Sequence, residues 1–369
     1  MCDNHIAKFY RNPNDNMSKD ISQHLQTQIL DAYENKTALK IQAGNSKSFY
    51  GRPVTAQTLD VSEHQGIISY EPTELVITAR AGTRLTDIEK TLNESKQMLA
   101  FEPPAFADSA TLGGTIACNF SGPRRAYSGA ARDFVLGCHI INGKAEKLKF
   151  GGQVMKNVAG YDASRLMCGA MGGLGVILDV SLKVLPLPEA QITLVHQCEI
   201  HQAIKQIHQW VKQSLPVSAS CYTDGQLFIR LSGNQSSVTS AKNIVGGELL
   251  NNCDIFWRNI KEQKDDFFKS DKPLWRLSLT SNTPQINLSG DTLYEWSGAL
   301  RWLSSEEPAD NIRQALDAVG GHATLFRNQT ADVDPFHPLS SGLLNIQKHL
   351  KNAFDPHNIL NPGHLYKDL

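Results

Sequence analysis

The sequence predicts an α+β protein of two lobes, and three observations carry that expectation. Apolar segments with helical and with strand spacing alternate through the first half. Two glycine-bearing loops stand far apart within it, and Pro186 and Pro188 separate it from a second half of different texture. At 369 residues, 41% of them hydrophobic, the chain can bury a sizeable core and is long for one ordinary domain.

From Ile21 to Tyr33 apolar residues recur at helical spacing, and ALKIQAG then reads as a strand opening into the polar turn Asn45, Ser46, Lys47, Ser48. ELVITARAG alternates and reads as a second strand. Thr86 with Glu89 predicts a capping box for a helix ending near Ser95. The stretch from Phe101 to Gly122 has few charges and is broken by Pro103, Pro104, Gly113 and Gly114, which predicts loop, short helix, loop. DFVLGCHIINGKAEKLKFGG predicts a β-hairpin with its tight turn at Asn142-Gly143. GAMGGLGVILDVSLKVLPLP ends in a strand and then in the prolines of the expected boundary. Beyond them come a strand (ITLVHQCEI), a helix from His201 to Gln213, a strand (GQLFIRLSG), a helix from Ser237 to Val245, and strands near LWRLSL and GALRWL. That order predicts a small α+β cap, with Trp275, Trp296 and Trp302 filling its core. The segment from Pro338 carries one helix and then FDPHNILNPG, whose prolines and glycine are turn and coil. The expected division is 1–188, 189–335 and 336–369.

Lys and Arg total 36 against 37 Asp and Glu, so no global field draws the chain to nucleic acid or to an anionic membrane. Neither a secretory signal nor a membrane-length apolar run is visible, which predicts a soluble cytoplasmic protein. The cysteines, at positions 2, 118, 138, 168, 198, 221 and 253, form no C-x-x-C pair. They predict reduced thiols and no metal site, so any iron–sulfur cluster serving this protein sits on another chain.

GAMGGLG is not a Rossmann fingerprint. No strand runs straight into it and its glycine spacing differs. What remains is two loops, Gly44 to Ser48 and Thr111 to Asn119, whose backbone amides are placed to share an anion such as a pyrophosphate. Thr111, Gly113, Gly114 and Thr115 offer side-chain-free approach and small hydroxyls. On spacing alone a plain tight turn explains Gly113 and Gly114 equally well.

Four runs, PTELVITARAG, TLGGTIACNFSGPRR, KNVAGYDASRLMCGAMGGLGVI and FDPHNILNPG, in that order and spacing, resemble the FAD-binding domain of the vanillyl-alcohol-oxidase and p-cresol-methylhydroxylase (PCMH-type) superfamily. NSKSFYGRPV, SGPRR, GALRWL and GGHATLF extend the resemblance, in detail, to the small FAD-binding subunits of bacterial glycolate oxidases. The resemblance implies a PCMH-type two-lobed FAD-binding domain followed by a reduced cap. It implies that Gly44, Asn45, Ser46, Lys47, Ser48, Thr111, Gly113 and Gly114 hold the pyrophosphate, and the residue reading adds Thr115 to them. Ala117, Asn119 and Ser121 would lie along the flavin or its ribityl chain. Gly160, Tyr161, Asp162, Gly175, Val176 and Ile177 would approach the adenosine and ring system. The first loop has no His, Cys or Tyr, so the FAD is expected to be dissociable.

Arg124 and Arg125 are candidates for clamping a substrate carboxylate, with pairing to a phosphate or a surface acid as the alternative. His322, in AVGGHATLF, is the candidate catalytic histidine, with a structural role as its alternative. The resemblance implies oxidation of glycolate or a related 2-hydroxyacid such as D-lactate to the 2-oxoacid. It also implies two partners, a larger FAD-binding subunit and an iron–sulfur subunit, with contact to the inner membrane only peripheral and through the complex. Two departures matter. The family's catalytic flavin subunits carry a GHxGDGN-like run and an acidic residue in the segment that reads AMGG here. Their absence keeps a non-catalytic assembly or electron-relay subunit open beside the enzyme.

Overall fold

Leu25, Ile29 and Ala32 recur at a helical period, and Ser22–Asn35 is a helix that buries those three residues. In the computed structural model, which describes residues 19–152, 162–328 and 333–369, this helix packs with strand Leu39–Gln42 and its parallel neighbour Gln57–Asp60. A five-stranded antiparallel sheet forms the centre of the first lobe. Its order is Ile67–Glu71, Val76–Arg80, Val176–Lys183, Val135–Ile141, Lys147–Gly151. Val176–Lys183 is central and nearly all buried, as a β-branched run covered on both faces should be. Helix Leu85–Glu94 lays Leu85, Ile88 and Leu92 into the same core as Leu112 and Ile116 of helix Leu112–Cys118.

Residues 190–327 build an eight-stranded antiparallel sheet, ordered Glu248–Leu249, Ala190–Gln197, Gln226–Gly233, Val217–Thr223, Asp291–Glu295, Leu300–Ser304, Leu274–Ser278, His322–Arg327. Helices Ile200–Lys212 and Gln235–Val245 bury Ala203, Ile207, Trp210, Val238, Ala241 and Val245 in one core cluster with this sheet. Trp275, Trp296 and Trp302 are all buried. Between the lobes lies an aromatic seam in which Tyr50 and Phe120 of the first lobe meet Phe326 and Phe336 at ring separations of 5.3–5.5 Å.

Three local expectations are corrected. The helix at Leu85 has Arg84 as its N-cap and no side-chain cap; the Leu85 N–H donates instead to Ala110 O at 2.9 Å, so Thr86 and Glu89 make no capping box. The hairpin turn is not the two residues Asn142-Gly143. Ile141 pairs with Lys147, the loop spans 142–146, and the positive φ falls on Ala145 at 62°. Gly143 is needed for another reason: a Cβ there would collide with the Asp355 carboxylate. The cap also holds strands Val217–Thr223 and Asp291–Glu295 and helices Cys253–Lys261 and Ala309–Asp317, and is larger than the small unit the sequence suggests.

Candidate functional site

Strand Leu39–Gln42 delivers the chain into the turn at 44–48, and helix Leu112–Cys118 begins opposite it. Between them lies a cavity of about 260 Å³. Gly44, Asn45, Ser46, Lys47, Ser48, Thr111, Gly113, Gly114, Ala117, Gly175, Val176 and Ile177 all line it, bringing together three segments far apart in sequence. Asn361 and His364 close it from the C-terminal segment.

The donors are not distributed as the sequence suggests. In the second loop the amides from Leu112 to Thr115 are already engaged. Leu112 donates to Thr83 O at 2.9 Å, Gly113 to Ala81 O at 2.7 Å, Thr115 to Thr111 O at 3.0 Å, and Gly114 to the capping Thr111 Oγ1 at 3.3 Å. In the first loop, among the described residues, the N–H groups of Asn45, Ser46 and Lys47 donate to nothing. Asn45 has a φ of 58°, the left-handed step that turns successive amides toward one point and makes a nest for an anion. Lys47, 8% exposed, puts its ammonium near Ser46 Oγ (3.2 Å) and Ala105 O (3.4 Å), with no carboxylate partner among the described residues. Burial pushes its pKa down, and the Cys118 thiol and Glu262, which does not reach it as an ion pair, only partly oppose that. A buried ammonium without a counter-ion is costly, and a bound anion is what would relieve it.

The glycines have separable roles. A Cβ on Gly113 would sit 2.7 Å from Ala81 Cβ, so this glycine lets helix and strand pack. A Cβ on Gly114 would meet only Thr111 Oγ1, at 3.4 Å, and would otherwise enter the cavity. Thr115 Oγ1 and Asn119 Oδ1 are buried without a partner among the described residues. Cys118 also lines the cavity; burial raises its thiol pKa to about 11, partly offset by Lys47, so it is a weak nucleophile near neutral pH.

Other expected residues lie elsewhere. Ser121 Oγ accepts from the Ala131 N–H at 2.9 Å. Asp162 caps a short helix at the surface and pairs with Arg165 at 2.9 Å. Gly160 and Tyr161 lie outside the described residues. Arg124 is not available to a substrate: it is buried, and its guanidinium is bound by Glu102 (3.3 Å), Gln191 (3.1 Å) and Ser232 (3.4 Å). Arg125 lies over the Trp296 ring at 4.4 Å. His322 opens the last cap strand, exposed, 6.4 Å ring to ring from His337. Although its surface is exposed, partial enclosure of the ring by neighbouring atoms, then Arg276 and His337, push its pKa down.

The sequence reading assigned no role to Asn361, though the run that carries it, FDPHNILNPG, was set apart. Asn361 Oδ1 accepts from the Ile41 N–H at 2.8 Å and its Nδ2 donates to Met171 O at 2.8 Å, tying the tail across the cavity wall. Lys351 fixes the same tail from below, donating to Gly173 O, Leu360 O and Asp355 Oδ2 at 2.7–2.8 Å.

A glycine-walled cleft with a free amide nest and an unpaired lysine defines a nucleotide-cofactor protein, and residues 22–151 match the family model described as an FAD binding domain. The fold is PCMH-type. p-Cresol methylhydroxylase with substrate bound superposes with a TM-score of 0.72 over 95% of this chain and 88% of its own, at 13% identity. Alkyldihydroxyacetonephosphate synthase gives 0.67 over 92% and 75%, also at 13%. The chain is thus an FAD-dependent oxidoreductase subunit. It is 48% identical to the glycolate oxidase subunit GlcE of Escherichia coli over 95% of this chain and 99% of that one, and it belongs to that family. Similarity to the glycolate oxidase subunit GlcD of Bacillus subtilis is 32% over 129 residues, 35% of this chain and 27% of that one. None of the described helices is long and apolar enough to cross a membrane.

Proposed function

We propose that this chain is the small FAD-carrying subunit of a glycolate-oxidising complex. The complex converts glycolate, or a related 2-hydroxyacid such as D-lactate, to the 2-oxoacid and passes the electrons to an iron–sulfur subunit. The observation that carries this reading is the nest at Asn45, Ser46 and Lys47 facing Gly114, in a chain alignable along the length of a glycolate oxidase subunit. Bound FAD supplies the acceptor for a hydride from the substrate carbon. The chain's own contribution is to hold the pyrophosphate with three amides and the Lys47 ammonium, and to admit it closely at Gly114. Val176 and Ile177 line the apolar wall, and the aromatic seam keeps water out. The FAD is held without a covalent bond: of the His, Cys and Tyr side chains lining the cavity, Cys118 and Tyr50 have their pKa raised by burial to about 11 and about 12, His364 commits its Nδ1 to Arg52 O at 2.6 Å, and the first loop has none. Residues 1–188 form the flavin lobe and 189–335 the cap, a division supported by their separate sheets.

A second reading, an electron-relay or assembly subunit, is favoured by one observation: Arg124, Arg125 and His322 do not line the 260 Å³ cavity. Anaerobic mixing separates the two. The FAD-loaded chain is given glycolate alone and then glycolate with the larger flavin and iron–sulfur subunits. Turnover only in the mixture is expected. Loss of the yellow absorbance in the isolated chain, with dye reduction, would instead make it a self-sufficient oxidase.

A further inference from the structure

The first glycine loop rests on a second strip of backbone, residues 103–109. Ala105 O accepts from the Lys47 ammonium at 3.4 Å, and Ser109 Oγ donates to Gly44 O at 2.5 Å. A Cβ on Gly44 would collide with the Ser109 carbonyl, so the two strips are in direct contact. Phe106 has a φ of 61°, left-handed backbone that a bulky L-residue adopts only when its surroundings impose it. That step makes the amides of Ala105 and Phe106 converge into a nest of their own. This nest is filled by a side chain of the cap: the Glu262 carboxylate accepts from the Ala105 N–H at 3.1 Å and from the Phe106 N–H at 2.7 Å.

Glu262 closes helix Cys253–Lys261 and is fixed from the cap side. Its N–H donates to Arg258 O at 2.9 Å, Lys261 Nζ stands 3.2 Å from its Oε1, and Trp257 and Ile260 of the same helix are buried. The next residue, Gln263, accepts from Arg327 Nε at 2.8 Å, and the Arg327 guanidinium lies 3.8 Å from the centroid of Phe49 and 4.9 Å from that of Phe106. Two consecutive cap residues therefore grip both strips. The Phe106 N–H that Glu262 binds and the Ala105 carbonyl that Lys47 binds belong to one peptide group. A carboxylate at one end of that dipole and an ammonium at the other polarise it in the same sense, so each bond strengthens the other. The titratable groups that draw Lys47 toward its charged form are Cys118 and this same Glu262.

We propose that Glu262 is a positioning residue for the cofactor site: it acts through the peptide between Ala105 and Phe106 to set the Lys47 ammonium, so that FAD affinity depends on the cap as well as on the flavin lobe. The proposal rests on the reading that Lys47 meets the pyrophosphate. The free nest at Asn45, Ser46 and Lys47 and the filled nest at Ala105 and Phe106 share this one cation. The carboxylate turns the Ala105 carbonyl to the lysine, and its charge favours the ammonium where burial opposes it.

The FAD-loaded full chain is diluted to equilibrium and free flavin is read by its fluorescence, for the wild type, Glu262→Gln, Glu262→Ala, Lys47→Met and the Lys47→Met, Glu262→Gln double variant. FAD binding is expected to weaken about 10-fold in Glu262→Gln, which keeps an acceptor without the charge, and about 10- to 100-fold in Glu262→Ala. On top of Lys47→Met, the Glu262→Gln change is expected to cost less than about 2-fold more, because a residue that acts through the lysine then has nothing left to set. A merely structural role would give the same loss in both backgrounds and overturns the proposal, as does wild-type affinity in Glu262→Ala. If Glu262→Ala does not fold, Glu262→Gln with and without Lys47→Met decides. Lys47→Met with wild-type affinity would remove the reading of the lysine and this proposal with it, whereas weak binding by Lys47→Met beside unaffected Glu262 variants overturns the proposal alone.

Discussion

Glu295 is a carboxyl group that burial raises from its ordinary 4.5 to about 7, against the opposing pull of Trp302 Nε1 and Arg276. The folded chain holds this proton more tightly than the unfolded one, so the stability it adds is complete below pH 4.5 and is lost as pH rises through 7. Glu295→Gln keeps an acceptor for Trp302 and removes the titration. The variant is expected to match the wild type near pH 4.5 and to exceed it by about 3 kcal/mol at pH 8, read from denaturant midpoints. A wild type and variant that stay parallel across that range would mean Glu295 does not titrate there. The sequence could not single out this acid, or Arg276, since each sits in an alternating strand segment and becomes unusual only through neighbours from other strands. Gly44 to Ser48 were legible because a strand running into a polar glycine turn has few other uses.

At the scale of the element, the start of helix Leu112–Cys118 divides scaffold from site within two residues. Gly114→Val places its side chain in the cavity and is expected to yield folded protein with at least 10-fold weaker FAD retention. Gly113→Val drives into Ala81 and is expected to lower the melting temperature whether or not FAD is present. Flavin content and thermal unfolding of the two purified variants check the contrast; a Gly114→Val protein with full flavin would remove this loop from the site. The sequence located this helix but misplaced its donors, because which amides stay free depends on Ala81 and Thr83, carbonyls brought in by another strand. Strand Val217–Thr223 escaped notice for a related reason. VSASCYT looks polar, yet Ser218 and Ser220 are buried, bonded to Arg230 and to Tyr127.

Across the whole molecule, the lobes are riveted by Glu102. Burial alone would raise its pKa, but Arg230 of the cap (2.9 Å) and Arg124 (3.3 Å) more than offset this and hold it below the ordinary carboxylate range. Arg230 is itself enclosed, donating to Ser218 Oγ and lying over Trp257. Glu102→Ala leaves two guanidiniums enclosed without a counter-charge and is expected to cost about 3–5 kcal/mol in denaturant unfolding. A loss under 1 kcal/mol would mean the aromatic seam and Glu262 join the lobes without it. The change of texture after Pro188 coincides with the step from the five-stranded to the eight-stranded sheet. The docking of the lobes was not legible, because Glu102 and Arg230 announce nothing until the fold brings them together.

The tail that ties Asn361 to Ile41 spans a sequence separation of 320 residues, and that distance sets a clock. During synthesis the first loop and the helix opposite it emerge early, but the wall that closes over them is made long afterwards. The nascent chain therefore has a nest and no pocket. Flavin is loaded onto a nearly finished fold and cannot template its early steps, and a protease that nicks the tail should release the cofactor from a chain that remains otherwise folded.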